Sequence, residues 1–191
     1  MDCTGHGVPG AMMSMIGITL LNEIVRCKQI IRADQILNHL REKIIESLGQ
    51  KGIIEEVNDG MDGSVILLDI ENKSLMFSGA NSCLNLVRGN ELLRIKGDRM
   101  PISYHGIMED FTRQELSLEP GDMLYLFTDG YVDQFGGKED KKFNHSAFGE
   151  LLIEIHNRSS REQEELLSHT FDEWKGDLYQ VDDVTVLGIR I

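Results

Sequence analysis

Apolar residues change their spacing along this chain, and each change predicts a different element. Pro9 suits a first helical turn, and Met12, Met15, Ile16, Thr19, Leu20 and Ile24 follow at helical intervals, predicting a helix from about Pro9 to Arg26. Ile36, Leu37, Leu40, Ile44, Ile45 and Leu48 form a second stripe, and Gly49 stands where a helix from about Asp34 should stop. From Ser64 the pattern becomes that of strands. Val65 to Leu68 turns through Glu71-Asn72-Lys73 into Leu75-Met76-Phe77, which predicts a hairpin. Leu84 to Val87 and Leu92 to Ile95 flank Arg88-Gly89-Asn90-Glu91 and predict another. Phe111 to Leu118 alternates, then Pro120-Gly121-Asp122 turns into Met123 to Phe127. Helical spacing returns at Ser146 to His156 and at Ser160 to Trp174, where Ser160 and Gln163 have the spacing of a capping box and Leu166, Leu167, Thr170, Phe171 and Trp174 share a face. Val184 to Ile191 closes the chain as a strand. Helices, a run of strands, helices and a last strand predict an α+β layered domain.

Composition narrows the class. At 191 residues, one domain covering 1–191 is expected, with 41% hydrophobic and 27% charged residues as in a globular protein. No apolar run is expected to approach the roughly 20 residues a membrane span needs. Nineteen basic against 32 acidic residues give a net charge of −13, which repels nucleic acid phosphates and anionic membranes. Cys3, Cys27 and Cys83 are odd in number and lack Cys-x-x-Cys spacing, so neither a disulfide framework nor a zinc site is indicated, and a reducing cytoplasm is the expected setting.

The chemistry-bearing stretch is Asp2-Cys3-Thr4-Gly5-His6-Gly7-Val8-Pro9-Gly10-Ala11, a carboxylate followed by a glycine-punctuated turn into a helix. Thr128-Asp129-Gly130 and Asp182-Asp183-Val184-Thr185 lie far downstream, each beside an apolar run. Carboxylates at strand ends suit hard divalent cations such as Mg²⁺ or Mn²⁺. Gly5 and Gly7 would let the backbone come close to such a cluster, and Val8-Pro9-Gly10 starts a helix whose positive end favours anions. His6 could act as general acid or merely pack in the turn. Asp59-Gly60-Met61-Asp62-Gly63 reads slightly better as a polar turn than as a further metal position. Met12, Met13 and Met15 read most simply as core filler.

The three motifs, in this order, resemble those of the SpoIIE-like branch of the PPM (type 2C) metal-dependent serine/threonine phosphatases. The resemblance implies an antiparallel β-sandwich flanked by helices in αββα layers. It implies two Mn²⁺ or Mg²⁺ ions, with Asp2 bridging them and the Cys3 backbone carbonyl as an additional ligand. Asp129 and Asp182 would hold the second ion, and Asp183 would coordinate through water or orient its neighbour. Gly130 and Asp62 would sit near the site, and Asn81 of Gly79-Ala80-Asn81 could line the cleft. The helices after the first motif would act as a switch. Family members carry an earlier Gly-Asp signal on two strands, whereas Met1-Asp2 begins on the next motif. The expectation is therefore a domain lacking its first strands and one metal ligand, with a possible homodimer through an exposed sheet edge.

The implied function is hydrolysis of phosphoserine or phosphothreonine on a bacterial regulatory protein, such as an anti-sigma-factor antagonist, by metal-activated water. An upstream sensor domain is implied, and the parent protein could be membrane-anchored. A non-catalytic pseudophosphatase module and a metal-dependent hydrolase of a small molecule stay open as alternatives.

Overall fold

The computed structural model describes residues 1–5, 7–27, 31–52, 59–106 and 108–191, with Cys27 by its backbone alone. In chain order the elements are β1 (Asp2–Cys3), α1 (Gly7–Asn22), a π-helical turn (Glu23–Cys27), α2 (Ala33–Leu48), β2 (Met61–Asp69), β3 (Ser74–Ala80), β4 (Cys83–Arg88) and β5 (Glu91–Lys96). There follow β6 (Gln114–Ser117), β7 (Met123–Phe127), α3 (Gly130–Asp133), β8 (Phe135–Gly136), β9 (Lys141–Lys142), α4 (Asn144–Ile155), α5 (Ser160–Lys175) and β10 (Val186–Arg190). The architecture is mixed α+β with antiparallel sheets. The chain divides into two compact units, Met1–Cys83 with Lys96–Leu118 and Leu84–Ile95 with Glu119–Ile191.

In the first unit the sheet order is β1-β2-β3-β6. Ile36, Leu37, Leu40 and Ile44 of α2 are fully buried, as the helical stripe predicted, and α2 ends at Gly49 in a left-handed conformation. The first helix behaves differently. Met13 is buried, but Met12 and Met15 are 60% and 70% exposed, so the methionine-rich face is not core. Gly17 explains the rotation: a Cβ there would stand 2.7 Å from Cε of Met61. The helix therefore turns Gly10, Met13 and Gly17 inward, where its backbone can approach the sheet, and Met12 and Met15 outward.

The stretch Gly7–Arg26 is 20 residues long, with a mean hydropathy of 1.5 and 22% of its apolar window buried. By length and composition alone it could cross a membrane, contrary to the expectation that no apolar run comes near that length. Here it joins the core of the first unit through Met13 and Ile24, beside Leu37 and Leu40 of α2.

Two strand boundaries differ from the alternation. Phe111 to Leu118 yields only the short β6, because the Phe111 amide donates to Asn38 Oδ1 at 3.0 Å and the Thr112 amide to Asp98 Oδ2 at 2.7 Å. Those donors are thereby lost to the ladder. At the other end, Met61-Asp62-Gly63 is not a polar turn. It forms the start of β2, with Cys3 opposite Met61 and Asp2 opposite Asp62.

The second unit carries a sheet of order β10-β7-β4-β5. Its core gathers Tyr131, Phe143, Phe148 and Phe171, with Tyr131 and Phe148 ring centroids 4.7 Å apart. The capping box of α5 uses the preceding serine: Ser159 Oγ accepts from the Glu162 amide at 3.3 Å and Glu162 Oε2 accepts from the Ser159 amide at 2.9 Å. Gln163 is thereby released to the inner face, where it is buried and accepts a 2.8 Å hydrogen bond from the Tyr125 hydroxyl.

Candidate metal centre

Asp2 lies on β1, half-buried, at the register position opposite Asp62 of β2. Asn81, with a left-handed backbone just after β3, donates from Nδ2 to Asp62 Oδ1 at 3.0 Å. Thr4 supplies an anchor that no sequence motif marks. Its hydroxyl donates to the Gly60 carbonyl at 2.7 Å and accepts from the Gly60 amide at 2.8 Å, while its amide donates to the same carbonyl at 3.0 Å. These bonds hold Asp2-Cys3 against the entrance of β2. Cys3 is a half-buried free thiol whose Sγ accepts from the Ser14 hydroxyl at 3.4 Å.

Gly5 and Gly7 have φ of 86° and 67°, conformations an L side chain adopts only with strain, and no atom stands where their Cβ would be. Among the described residues they serve to turn the chain into α1. His6, the proposed general acid, lies outside the described residues. Asp59 is exposed, and its carbonyl accepts from Gln50 Nε2 at 2.5 Å.

In the second unit, Asp129 follows the end of β7 and Asp182-Asp183 precede β10. The two segments are bound together through Thr128, a second residue without a predicted role. Its hydroxyl donates to the Asp183 carbonyl at 3.0 Å and accepts from the Thr185 amide at 3.0 Å, while its own amide donates to the Thr185 carbonyl at 3.1 Å. These bonds also explain why β10 begins at Val186 rather than at Val184. Gln180 Nε2 donates to the Asp182 carbonyl at 2.7 Å, and the Asp183 amide donates to Asp182 Oδ1 at 2.7 Å. Asp183 thus orients its neighbour through its backbone.

The electrostatics of this unit suit a cation. Partial desolvation, then the negative charges of Asp182 and Asp133, raise the Asp129 carboxyl above its ordinary range, and Lys142 offsets only part of this. Lys142 itself is paired with Asp133 at 2.7 Å. A carboxyl whose anion is penalised by burial and by neighbouring carboxylates is a donor suited to a hard divalent ion, which would lower the same repulsion.

The profile of Stage II sporulation protein E (SpoIIE) matches residues 1–191. The chain belongs to the SpoIIE family. Its fold is that of the PP2C/PPM phosphatase domains. The SiaA-PP2C domain of Pseudomonas aeruginosa is 30% identical, with a TM-score of 0.89 over 99% of this chain and 73% of that one. The PP2C phosphatase domain with a fragment of the regulatory domain of SpoIIE from Bacillus subtilis gives 0.71 at 19% identity, over 98% of this chain and 52% of that one. The RsbU and RsbW domains of a Mycobacterium tuberculosis protein give 0.71 at 22% identity, over 99% of this chain and 49% of that one. The chain thus spans about half of the latter two. No curated protein matches it.

Proposed function

We propose that this SpoIIE-family chain is the phosphatase module of a metal-dependent protein serine/threonine phosphatase. Its substrate would be phosphoserine or phosphothreonine on a bacterial regulatory protein, such as an anti-sigma-factor antagonist, in the cytoplasm. An upstream regulatory domain in the parent protein belongs to the same reading, by analogy with the regulatory domain of the Bacillus subtilis SpoIIE structure.

The observation that carries the proposal is the interlock of Thr128-Asp129-Gly130 with Asp182-Asp183, which holds two acidic motifs together although 52 residues or more separate them in sequence. Asp2, Asp129 and Asp182 are the residues that would hold Mn²⁺ or Mg²⁺, with the Cys3 carbonyl as a further donor. Bound divalent ions supply a hydroxide nucleophile near neutral pH and neutralise phosphoryl oxygens. The chain's own residues prepare for this. Asp129 stands where burial and neighbouring carboxylates penalise its anion, a penalty a bound cation would relieve, Gln180 and Asp183 fix the direction of Asp182, and Thr4 fixes Asp2.

The test uses a phosphoserine peptide with Mn²⁺, reading phosphate release, alongside calorimetric Mn²⁺ titration. Asp129→Asn and Asp182→Asn should each lower phosphate release at least 100-fold and weaken Mn²⁺ binding. Unchanged turnover in both variants would overturn the proposal. Mn²⁺ binding without turnover in the unaltered protein would favour the binding-module alternative.

A further inference from the structure

The second unit contains a cleft of about 440 Å³ between α5 and the face of β7 and β10, open to solvent on one side. It borders the Asp182-Asp183 motif through Gln180 and Val184, but none of Asp129, Asp182 and Asp183 is among its lining residues. Met123, Tyr125, Leu167, Phe171 and Val186 give it an apolar floor. Helix and sheet normally pack without such gaps. Here the gap persists because only Gln163 and Phe171 of α5 are buried, and because β10 carries Gly188 opposite Tyr125. A side chain at Gly188 would enter the cleft region, its Cβ 2.8 Å from Cε of Met123.

Polar struts hold the walls apart. The Tyr125 hydroxyl donates to Gln163 Oε1 at 2.8 Å, and Gln163 Nε2 donates in turn to the carbonyls of His156 and Arg158 at 3.1 and 3.0 Å. Further along α5, the Tyr131 hydroxyl donates to the Leu167 carbonyl at 2.8 Å. Because these groups satisfy one another, the floor offers an occupant hydrophobic contact and little hydrogen bonding.

Charge comes from the rim. Glu164 and Asp172 line the cleft two helical turns apart, about 12 Å along the axis, and no Lys, Arg or His is among the lining residues. The nearby cations are engaged elsewhere or only loosely held. Arg190 donates to the carbonyls of His156 and Arg158 at 2.8 and 2.7 Å, and Lys175 stands 3.7 Å from Asp172. The net charge of −13 adds to a potential that excludes anions.

We propose that this cleft is a binding site for a small amphipathic cation, an aromatic or branched hydrocarbon body carrying a protonated amine, with its body on the Tyr125–Phe171 floor and its amine beside one of the two rim carboxylates, Glu164 or Asp172. The volume falls within the range of small-molecule sites, about 300 to 1,000 Å³. The inference stands whether or not the chain is a phosphatase, since its charged groups, Glu164 and Asp172, are not among the acidic motif residues.

The test is calorimetric titration of the protein with 4-phenylbutylammonium, 4-phenylbutan-1-ol and 4-phenylbutanoate, which share a body and differ in charge. The cation should bind at least tenfold more tightly than the carboxylate, with the alcohol between. The double variant Glu164→Gln, Asp172→Asn should remove the preference for the cation, and Ser168→Trp, on the exposed rim, should weaken it at least tenfold. Should Ser168→Trp fail to melt cooperatively, Gly188→Leu fills the cleft from the opposite wall and is read the same way. Equal affinity for cation and carboxylate overturns the proposal, as does unchanged cation binding in the filled variant. Absence of cation binding at about 10 mM, which corresponds to an affinity weaker than about −3 kcal/mol, also overturns it.

Discussion

Gly130 stands so close to Asp183 that a Cβ would lie 2.4 Å from the Asp183 carbonyl oxygen. The obstructing atom is backbone, so it cannot swing aside as a flexible side chain would. Gly130→Ala should therefore push the Asp182-Asp183 segment off the end of β7, costing about 1 to 3 kcal/mol by overpacking. Thermal melting and Mn²⁺ titration on the same variant check this. We expect a lower melting midpoint together with at least tenfold weaker metal binding, and unaltered binding would show that the contact does not position Asp182.

Asp129 makes an opposite pair of predictions for stability and binding. Its carboxyl is raised above the ordinary range by desolvation first and by Asp182 second. For an acid with a raised folded-state pKa, the associated stability is present at low pH and lost as pH rises through that value. Metal-free Asp129→Asn should therefore be at least as stable as the unaltered protein at pH 7. With Mn²⁺ at 100 times the dissociation constant, the unaltered protein should gain about 2.7 kcal/mol and the variant little. Melting curves with and without Mn²⁺ distinguish the two effects.

Asp122 carries the reverse sign. Arg88 donates to both carboxylate oxygens, at 2.8 and 2.7 Å, and the Asp122 side chain is only 1% exposed. The Arg88 hydrogen bonds pull the Asp122 carboxyl below its ordinary value of 3.8. A depressed pKa contributes stability above the unfolded value and loses it as pH falls through the folded one. Asp122→Asn should cost about 2 kcal/mol at pH 7. The difference from the unaltered protein should shrink as pH falls below 3.8, as denaturant titrations at successive pH values would reveal.

On α1, neighbouring methionines should respond in opposite ways. Met13 is 4% exposed, while Met12 and Met15 point outward. Met13→Ala should cost about 2 to 5 kcal/mol, as for other buried methionines. Met12→Gln and Met15→Gln should each change stability by less than about 0.5 kcal/mol. Urea unfolding of the three variants would reverse this assignment if Met12 or Met15 proved the costly one.

The two candidate halves of the site were readable in different degrees. Asp129 and Asp182 were visible because an acidic residue beside a strand-like apolar run is a local pattern. Thr4 and Thr128 were not, because a threonine hydroxyl has no distinguishing neighbourhood in sequence. Their partners, Gly60 and Asp183, lie 56 and 55 residues away, and only the folded backbone shows the bonds. The fold shows the same division. The stripe of α2 was legible because large aliphatic side chains recur at 3.6-residue spacing. On α1 and the π-helical turn after it, Ile16, Leu20 and Ile24 pack as the stripe predicted, but Met12 and Met15 do not, because Gly10 and Gly17 beside Met13 mark the buried face.

By itself, the sequence determined the kinds of elements, their order, and the acidic motifs that mark membership of the SpoIIE family, since periodicity and short motifs are local properties of the chain. Tertiary structure decided which way α1 faces, where β6 and β10 begin, which serine caps α5, and what holds Asp182-Asp183 beside Asp129. Each of those choices depends on an atom brought close by distant residues: a sulfur filling the space a side chain on Gly17 would need, a carboxylate claiming an amide, a hydroxyl joining two strand ends. Local pattern records none of them.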